Sequence, residues 1–304
     1  MTATRRGACS QTRDYEANTN SKRQGHTLSE SKKMSVESIP AVLVDHGTPI
    51  ARPQVSEYLP RHDDISLLTR VFYCVCIVTA SALIVWNFMR VATAMKTFPW
   101  WLPFVALTGM VAADFASGLI HWTADTWGKI SMPILGRRFL HPFRVHHVNP
   151  RDFLRRSFLD TNGDVAMLLI PFLGFTLLIP LEAQWWLSTA VFMTAVCAAG
   201  LPTNQVHQWS HMPKPPGIVR ILQDHRIILS RQAHRRHHTA PHVDNYCIAL
   251  GWCNPALSAV DFWRRLEQLV TWGTGIVPRK DETDFTSQTA AVLISQSQGE
   301  QCDA

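Results

Sequence analysis

Four stretches of this chain are apolar almost without interruption, and polar residues gather at their ends. Residues 71–89 carry no charged side chain over 19 positions, and residues 183–213 carry none over 31. Uncharged apolar runs of about 18 residues or more read as membrane-spanning helices. The pattern predicts spans at about 68–89, 98–121, 165–181 and 183–206, the first two and the last two each forming a helical hairpin. Trp100 and Trp101 stand at the mouth of the second span as interfacial anchors. Glu182 is the only charge between the third and fourth, followed by Trp185 and Trp186, which predicts a tight turn at a membrane face. Pro171 and Pro180 fall in the third span, where bilayer helices tolerate proline. The expected fold is an all-α integral membrane protein.

Composition hides this patterning. Only 17% of residues are charged, against about 25% in soluble domains, and they sit in the ends and loops. Residues 1–62 and 280–304 are polar without helical or alternating apolar period, and both are expected to be disordered tails around a membrane domain of 63–279. The first 30 residues lack the apolar core of a secretory signal. Seven scattered cysteines form no CxxC pair, which argues against a disulfide framework or a zinc–thiolate site. Lys and Arg number 10 in residues 1–70, 7 in 121–164 and 10 in 207–304, against 2 in 88–98 and none near Glu182. With four spans, 27 of the 29 fall on one side, so both termini and the 121–164 loop are expected to be cytoplasmic. The net charge of +6 then suits anionic lipid headgroups and calls for no nucleic acid.

Histidine placement carries the chemistry. Of 14 histidines, three (His26, His46, His62) lie in the amino-terminal tail and eleven between 121 and 242, none of them mid-span. His121 closes the second span with Asp125 four residues on, so a continuing helix puts both on one face. Asp114, seven residues earlier, is either functional or the partner of a neighbouring helix. His146 and His147 are adjacent and diverge by about 100° on a helix, a geometry for two ions or for one ion and a hydrogen bond. Asp160 and Asp164 either orient a histidine or serve a cap and turn. His207 and His211 form an i,i+4 chelating pair. His234, His237 and His238 share one helical face, and Pro241 ends that helix and presents His242.

Nine histidines (121, 146, 147, 207, 211, 234, 237, 238, 242) are about twice what one metal needs. Two metals with four or five ligands each would use them all. No Glu lies within the clusters, unlike soluble di-iron bundles with Glu-xx-His motifs, and a zinc-dependent lipid hydrolase would lack its base. Imidazole suits iron, zinc and copper. Two irons beside a bilayer suggest O₂ chemistry on a lipid chain. A metal transporter predicts ligands along a path through the membrane, whereas these lie at one face.

The motifs HWTADTWG, PFRVHHVNP, FLDTNGD, NQVHQWSH, HRRHHTAPH and NYCIALGWCNP resemble, in order and spacing, the Kua/CarF family, over roughly residues 105–280. That family contains plasmanylethanolamine desaturases and the plastid fatty acid desaturase 4 enzymes. The resemblance implies a di-iron lipid desaturase using O₂, a membrane phospholipid substrate, and electrons from cytochrome b5 or another donor. Its histidines match His121, His146, His147, His207, His211, His234, His237 and His238, with His242 as a ninth, and its acidic partner matches Asp125. His141 and His225 stand where animal members carry other residues and are left out. The plasmalogen branch predicts a vinyl ether product; the alternative is an acyl-chain desaturase or hydroxylase acting on, for example, a phosphatidylglycerol-linked chain. The membrane follows the source: endoplasmic reticulum in a eukaryote, inner membrane in a bacterium.

Overall fold

The computed structural model describes residues 64–239 and 242–279. The expected tails, their three histidines and the role of Pro241 lie outside the described residues. The rest is helical, with no strand among the described residues. Two long helices come first, α1 (Leu67–Ala94) and α2 (Leu102–Thr126). A π-helical turn (Gly136–Leu140) leads into α3 (His141–Val148) and α4 (Pro150–Arg155). Then come α5 (Phe158–Thr176), α6 (Gln184–Gly200) and α7 (Thr203–His211). The carboxyl-terminal part holds α8 (Gly217–Asp224), α9 (Arg231–His237), α10 (Asn254–Ala259) and α11 (Phe262–Thr274). Four helical segments are long and apolar enough to cross a membrane: α1, α2, α5, and α6 with α7 together. The protein is a multi-pass membrane protein.

The boundaries depart from the sequence pattern where caps and prolines intervene. α5 starts seven residues before the expected span, because the Ser157 hydroxyl accepts from the Asp160 backbone N–H and caps the helix there. It stops at Thr176, so Pro180 belongs to the turn. The freed carbonyls of Thr176 and Ile179 accept from Arg90 at 2.9 and 3.1 Å, which places a cation at a helix C-terminus. α2 starts at Leu102, with proline in its first turn.

The spans pack as a bundle in which α1 lies on α5, α2 on α6, and α6 also meets α1 and α5. Two glycines permit the closest approaches. A Cβ at Gly109 on α2 would sit 2.6 Å from the Phe192 carbonyl oxygen of α6, and one at Gly163 on α5 would enter the Tyr73 ring of α1. Buried positions include Asn87, Asp114, Thr176 and Thr194, while Phe72, Val78, Phe88, Phe104, Leu168 and Phe175 are exposed. Apolar side chains outside and polar ones inside suit a lipid environment. On α8 and α11, Ile218, Ile221, Leu269 and Trp272 are exposed in i,i+3 pairs, as befits helices lying in the interface.

One non-helical segment is stitched along α2. The Tyr246 carbonyl meets His121 Nδ1 at 3.2 Å. The N–H groups of Ile248 and Ala249 donate to Ser117 Oγ at 3.0 and 3.2 Å. Those of Leu250 and Gly251 donate to Asp114 Oδ1, and that of Cys253 to Oδ2, at 2.8, 2.8 and 2.9 Å. Positions 114, 117 and 121 share one helical face, so α2 offers a ladder of polar groups to a backbone that makes no regular structure of its own. Asp114 is therefore the partner of a neighbouring segment.

Candidate metal centre

The ligand-bearing residues come from helix ends that the fold gathers at one end of the bundle. The last turns of α2 and α7 bring His121, Asp125, His207 and His211. Short α3 brings His146 and His147, and α9 brings His234 and His237, with His238 as its C-cap. Ser230 starts α9 by accepting from the Ala233 N–H at 3.2 Å.

Two groups result. His146, His207, His211, His234 and His238 form the first; His121, Asp125, His147 and His237 form the second. Within each, every ligand atom lies within 4.8 Å of the others. In the first, the Nε2 of His234 is 2.7 Å from that of His211 and 3.0 Å from that of His207. In the second, Asp125 Oδ2 is 3.0, 3.1 and 3.4 Å from the Nε2 atoms of His147, His121 and His237. The groups adjoin, since the ring centroids of His146 and His147 are 4.6 Å apart. Each i,i+4 pair stays in one group, while the neighbours His146 and His147, and His237 and His238, are divided between the two.

The hydrogen bonds leave a cation-shaped demand. The Nδ1 of His237 lies 2.9 Å from the Asp244 carbonyl, and that of His121 lies 3.2 Å from the Tyr246 carbonyl. A carbonyl only accepts, so each Nδ1 carries the proton and, in the neutral ring, Nε2 is a bare lone pair. Those lone pairs face the Asp125 carboxylate, also an acceptor. The bare Nε2 atoms of His121 and His237, within 3.4 Å of one carboxylate oxygen, repel it until a cation sits among them. Imidazole nitrogens bind first-row metals at about 2.0–2.1 Å, so ligands at right angles stand about 3 Å apart, matching the spacing seen. The Nε2 atoms of His146 and His238 and the Oδ1 of Asp125 are buried without a hydrogen-bond partner among the described residues, as groups kept for a metal would be. Burial, followed by neighbouring histidines, holds His146 and His234 well below the usual imidazole range. Burial first lowers His237 to about 3. All three are neutral and competent to ligate. Imidazoles with one carboxylate and no thiolate fit iron as well as zinc.

Other sequence candidates fall elsewhere. His242 belongs to neither group: φ of 57° turns it back so that Nδ1 donates to the His237 carbonyl at 3.0 Å, capping α9. His141 and His225 are in neither group. Asp114 comes close to Cys247 and Cys253, but its oxygens are taken by the backbone donors described above. Asp164 accepts from the Tyr73 hydroxyl at 2.6 Å and from Arg138 at 3.4 Å, and Asp160 sits in the capped first turn of α5. Sequence reasoning missed Phe153, whose ring centroid is 5.0 Å from that of His207, and Phe143, 5.3 Å from His121. It also missed the carbonyls of Asp244 and Tyr246, whose orienting role no side chain announces.

Phe143 also lines a cavity of about 920 Å³ walled by α1, α2, α5 and α6. Its inner walls are apolar, including Leu168, Phe172, Met193 and Val196, while arginines and aspartates crowd the end near Arg156 and Asp160.

A multi-pass helical protein with two imidazole-rich pockets beside an apolar cavity belongs to the class of histidine-rich membrane oxidoreductases. Residues 110–281 match the lipid desaturase domain, and the chain belongs to that family. It is 41% identical over 195 residues to plasmanylethanolamine desaturase of Myxococcus xanthus, covering 64% of this chain and 69% of that one. It is 42% identical over 188 residues to plasmanylethanolamine desaturase 1 of Mus musculus, covering 60% and 69%. Chloroplastic fatty acid desaturase 4 of Arabidopsis thaliana is 34% identical over 189 residues, covering 60% and 56%. No solved structure matches.

Proposed function

We propose that the chain introduces the vinyl ether bond of a plasmalogen into a 1-O-alkyl-2-acyl-glycerophosphoethanolamine. Two hydrogens leave adjacent carbons beside the ether oxygen, and with two electrons and two protons O₂ becomes two waters. The observation that carries this reading is the position of both ligand groups at the ends of spans, where α2 and α7 terminate. A centre at that depth lies level with the carbons next to glycerol in a lipid held in the bilayer. The similarity to two plasmanylethanolamine desaturases supports the ether substrate.

The bound metal is proposed to be a pair of non-haem irons, which supply the O₂-dependent oxidising power that an unactivated C–H bond requires. His146, His207, His211, His234 and His238 would hold one, and His121, Asp125, His147 and His237 the other. The carbonyls of Asp244 and Tyr246 fix the ligating tautomers. Asp125 supplies the negative charge, and its buried Oδ1 has no hydrogen-bond partner among the described residues. The apolar cavity walls exclude water from the alkyl chain. The desaturase domain is taken as residues 63–279, with the His-rich cap and both termini cytoplasmic and cytochrome b5 or another donor delivering electrons at that face. The membrane is the endoplasmic reticulum of a eukaryote or the inner membrane of a bacterium.

The test is expression in cells that make 1-O-alkyl phospholipids but no plasmalogens, with acid-labile vinyl ethers measured by mass spectrometry. The intact chain should yield them and His238→Ala should not. A folded, iron-loaded protein yielding none would overturn the ether substrate in favour of an acyl chain.

A further inference from the structure

The cavity and the two ligand groups are joined by a short path. Arg156 lines the cavity just before the N-terminus of α5, and its guanidinium carbon is 5.7 Å from the Phe153 ring centroid. That ring centroid is in turn 5.0 Å from His207 of the first group, so Arg156 stands within about 11 Å of a ligand ring. The Arg156 Nε is buried without a hydrogen-bond partner among the described residues, and so is Asp160 Oδ1 on the same cavity wall. The Arg70 Nε stands 3.8 Å from that Asp160 oxygen, an exposed ion pair beyond hydrogen-bond reach. The neighbouring pair is already engaged, with Asp164 held by Tyr73 and Arg138. Two half-buried groups of opposite charge, each with one buried atom lacking a hydrogen-bond partner among the described residues, stand at the charged end of an apolar cavity and suit a ligand that brings both charges.

We infer that Arg156 holds the phosphate and Asp160 the ammonium of a zwitterionic glycerophospholipid, and that this anchor sets which carbons meet the metal-ligand groups. The inference deepens the reading above and rests on its phospholipid substrate. Charge argues for a zwitterion. The cavity's charged lining comprises four arginines and four aspartates, which balance. A headgroup with phosphate but no ammonium leaves the Asp160 carboxylate facing an anion. Length argues for the site of reaction. The first carbon of an sn-1 ether chain lies six bonds from phosphorus, about 7–8 Å when extended, and the guanidinium–phosphate contact adds about 4 Å. The total, about 11–12 Å, is enough to reach His207, which lies no more than about 11 Å from Arg156. A carbon nine bonds further on lies about 11 Å beyond and runs past the centre along Leu168 and Phe172.

The experiment uses the full-length, metal-loaded chain in uncharged maltoside micelles doped with 1-O-alkyl lipids bearing ethanolamine or glycerol headgroups, with a reductant supplying electrons. Product is measured together with lipid retention in native mass spectra. Arg156→Gln should raise the KM for the ethanolamine lipid about tenfold to a hundredfold and lose retained lipid, with iron content unchanged. Arg156→Lys should recover most of both, which a purely structural role for Arg156 does not predict. Asp160→Asn should erase the preference for ethanolamine over glycerol without altering the position of the double bond. Folded Arg156→Gln and Asp160→Asn proteins with unaltered KM, lipid retention and headgroup preference would overturn the anchor. Absence of vinyl ether from the unmodified chain, with lipid retention still dependent on Arg156, would refute the ether reaction and leave the anchor standing.

Discussion

Asp114 lies in a membrane-spanning helix, is fully buried, and touches neither group of histidines. Even so, Asp114→Ala should empty the centre. The carboxylate accepts three backbone N–H bonds from Leu250, Gly251 and Cys253. Hydrogen bonds to a charged group contribute about 1.5–3 kcal/mol each, so alanine removes roughly 5–9 kcal/mol and strands three donors where lipid offers no water. The segment those donors belong to also supplies the Tyr246 carbonyl that orients His121 and adjoins Asp244, which orients His237. The damage therefore travels from stability to metal binding. Asp114→Asn keeps one acceptor oxygen and turns an amide N–H₂ towards a donor, a loss of about 2–4 kcal/mol. The assay is thermal unfolding in detergent by tryptophan fluorescence, paired with metal content by mass spectrometry. The expected order of melting temperature and of metal content is wild type, Asp114→Asn, Asp114→Ala. Cys253→Ala should leave metal content unchanged, because the Asp114–Cys247–Cys253 cluster is a backbone anchor. An Asp114→Ala protein that melts and binds metal as the wild type does refutes the zipper, and metal lost on Cys253→Ala refutes the anchor.

His211→Ala and His238→Ala should lower iron content and abolish product, whereas His242→Ala, which removes only a cap on α9, should keep most of both; equal losses would return His242 to the ligand set. Metal-free protein should lose stability on acidification. His237 titrates near 3 when folded and near 6.5 when unfolded, so the unfolded chain takes up the proton first and stability falls from about pH 6.5 to about 3. His146 and His234 act in the same direction, and each such group contributes up to about 1.4 kcal/mol per pH unit. Melting temperatures of chelator-treated protein should be level above pH 7 and drop below 6.5, and a flat profile would contradict neutral burial. Arg90→Ala, at the opposite end of the bundle, should lower stability by about 2–4 kcal/mol through the freed carbonyls of Thr176 and Ile179 and leave metal content untouched.

Much of this architecture was legible because membrane and metal impose strong, local rules. Apolar length locates the four spans, one of them carrying Asp114, and i,i+4 spacing pairs His121 with Asp125, His207 with His211 and His234 with His238, each of which the fold keeps together, although it sends His237, expected on the face of His234 and His238, to the other group. Illegible parts depend on groups that residue type does not report. A serine at 157 moves the start of a span by about two turns because it caps. The tautomers of His121 and His237 are set by carbonyls, which every residue has. The direction of His242 follows from a left-handed φ that sequence does not dictate for histidine. Phe153 and Arg156 look like an ordinary aromatic and an ordinary loop cation until folding sets one against the other.

The division of His146 from His147, and of His237 from His238, makes the two pockets a single mechanical object. On the proposed ligand assignment, filling one pocket immobilises α3 and the end of α9, and those are the same backbones the other pocket must recruit. The ordering entropy is thus met once, at the first ion, and the second enters a vacancy already shaped. Metal titration should then be steep, with a Hill coefficient above one, and singly loaded molecules scarce at every iron concentration. A cell short of iron would accordingly divide this protein into empty and complete copies, each metal-bearing copy able to turn over.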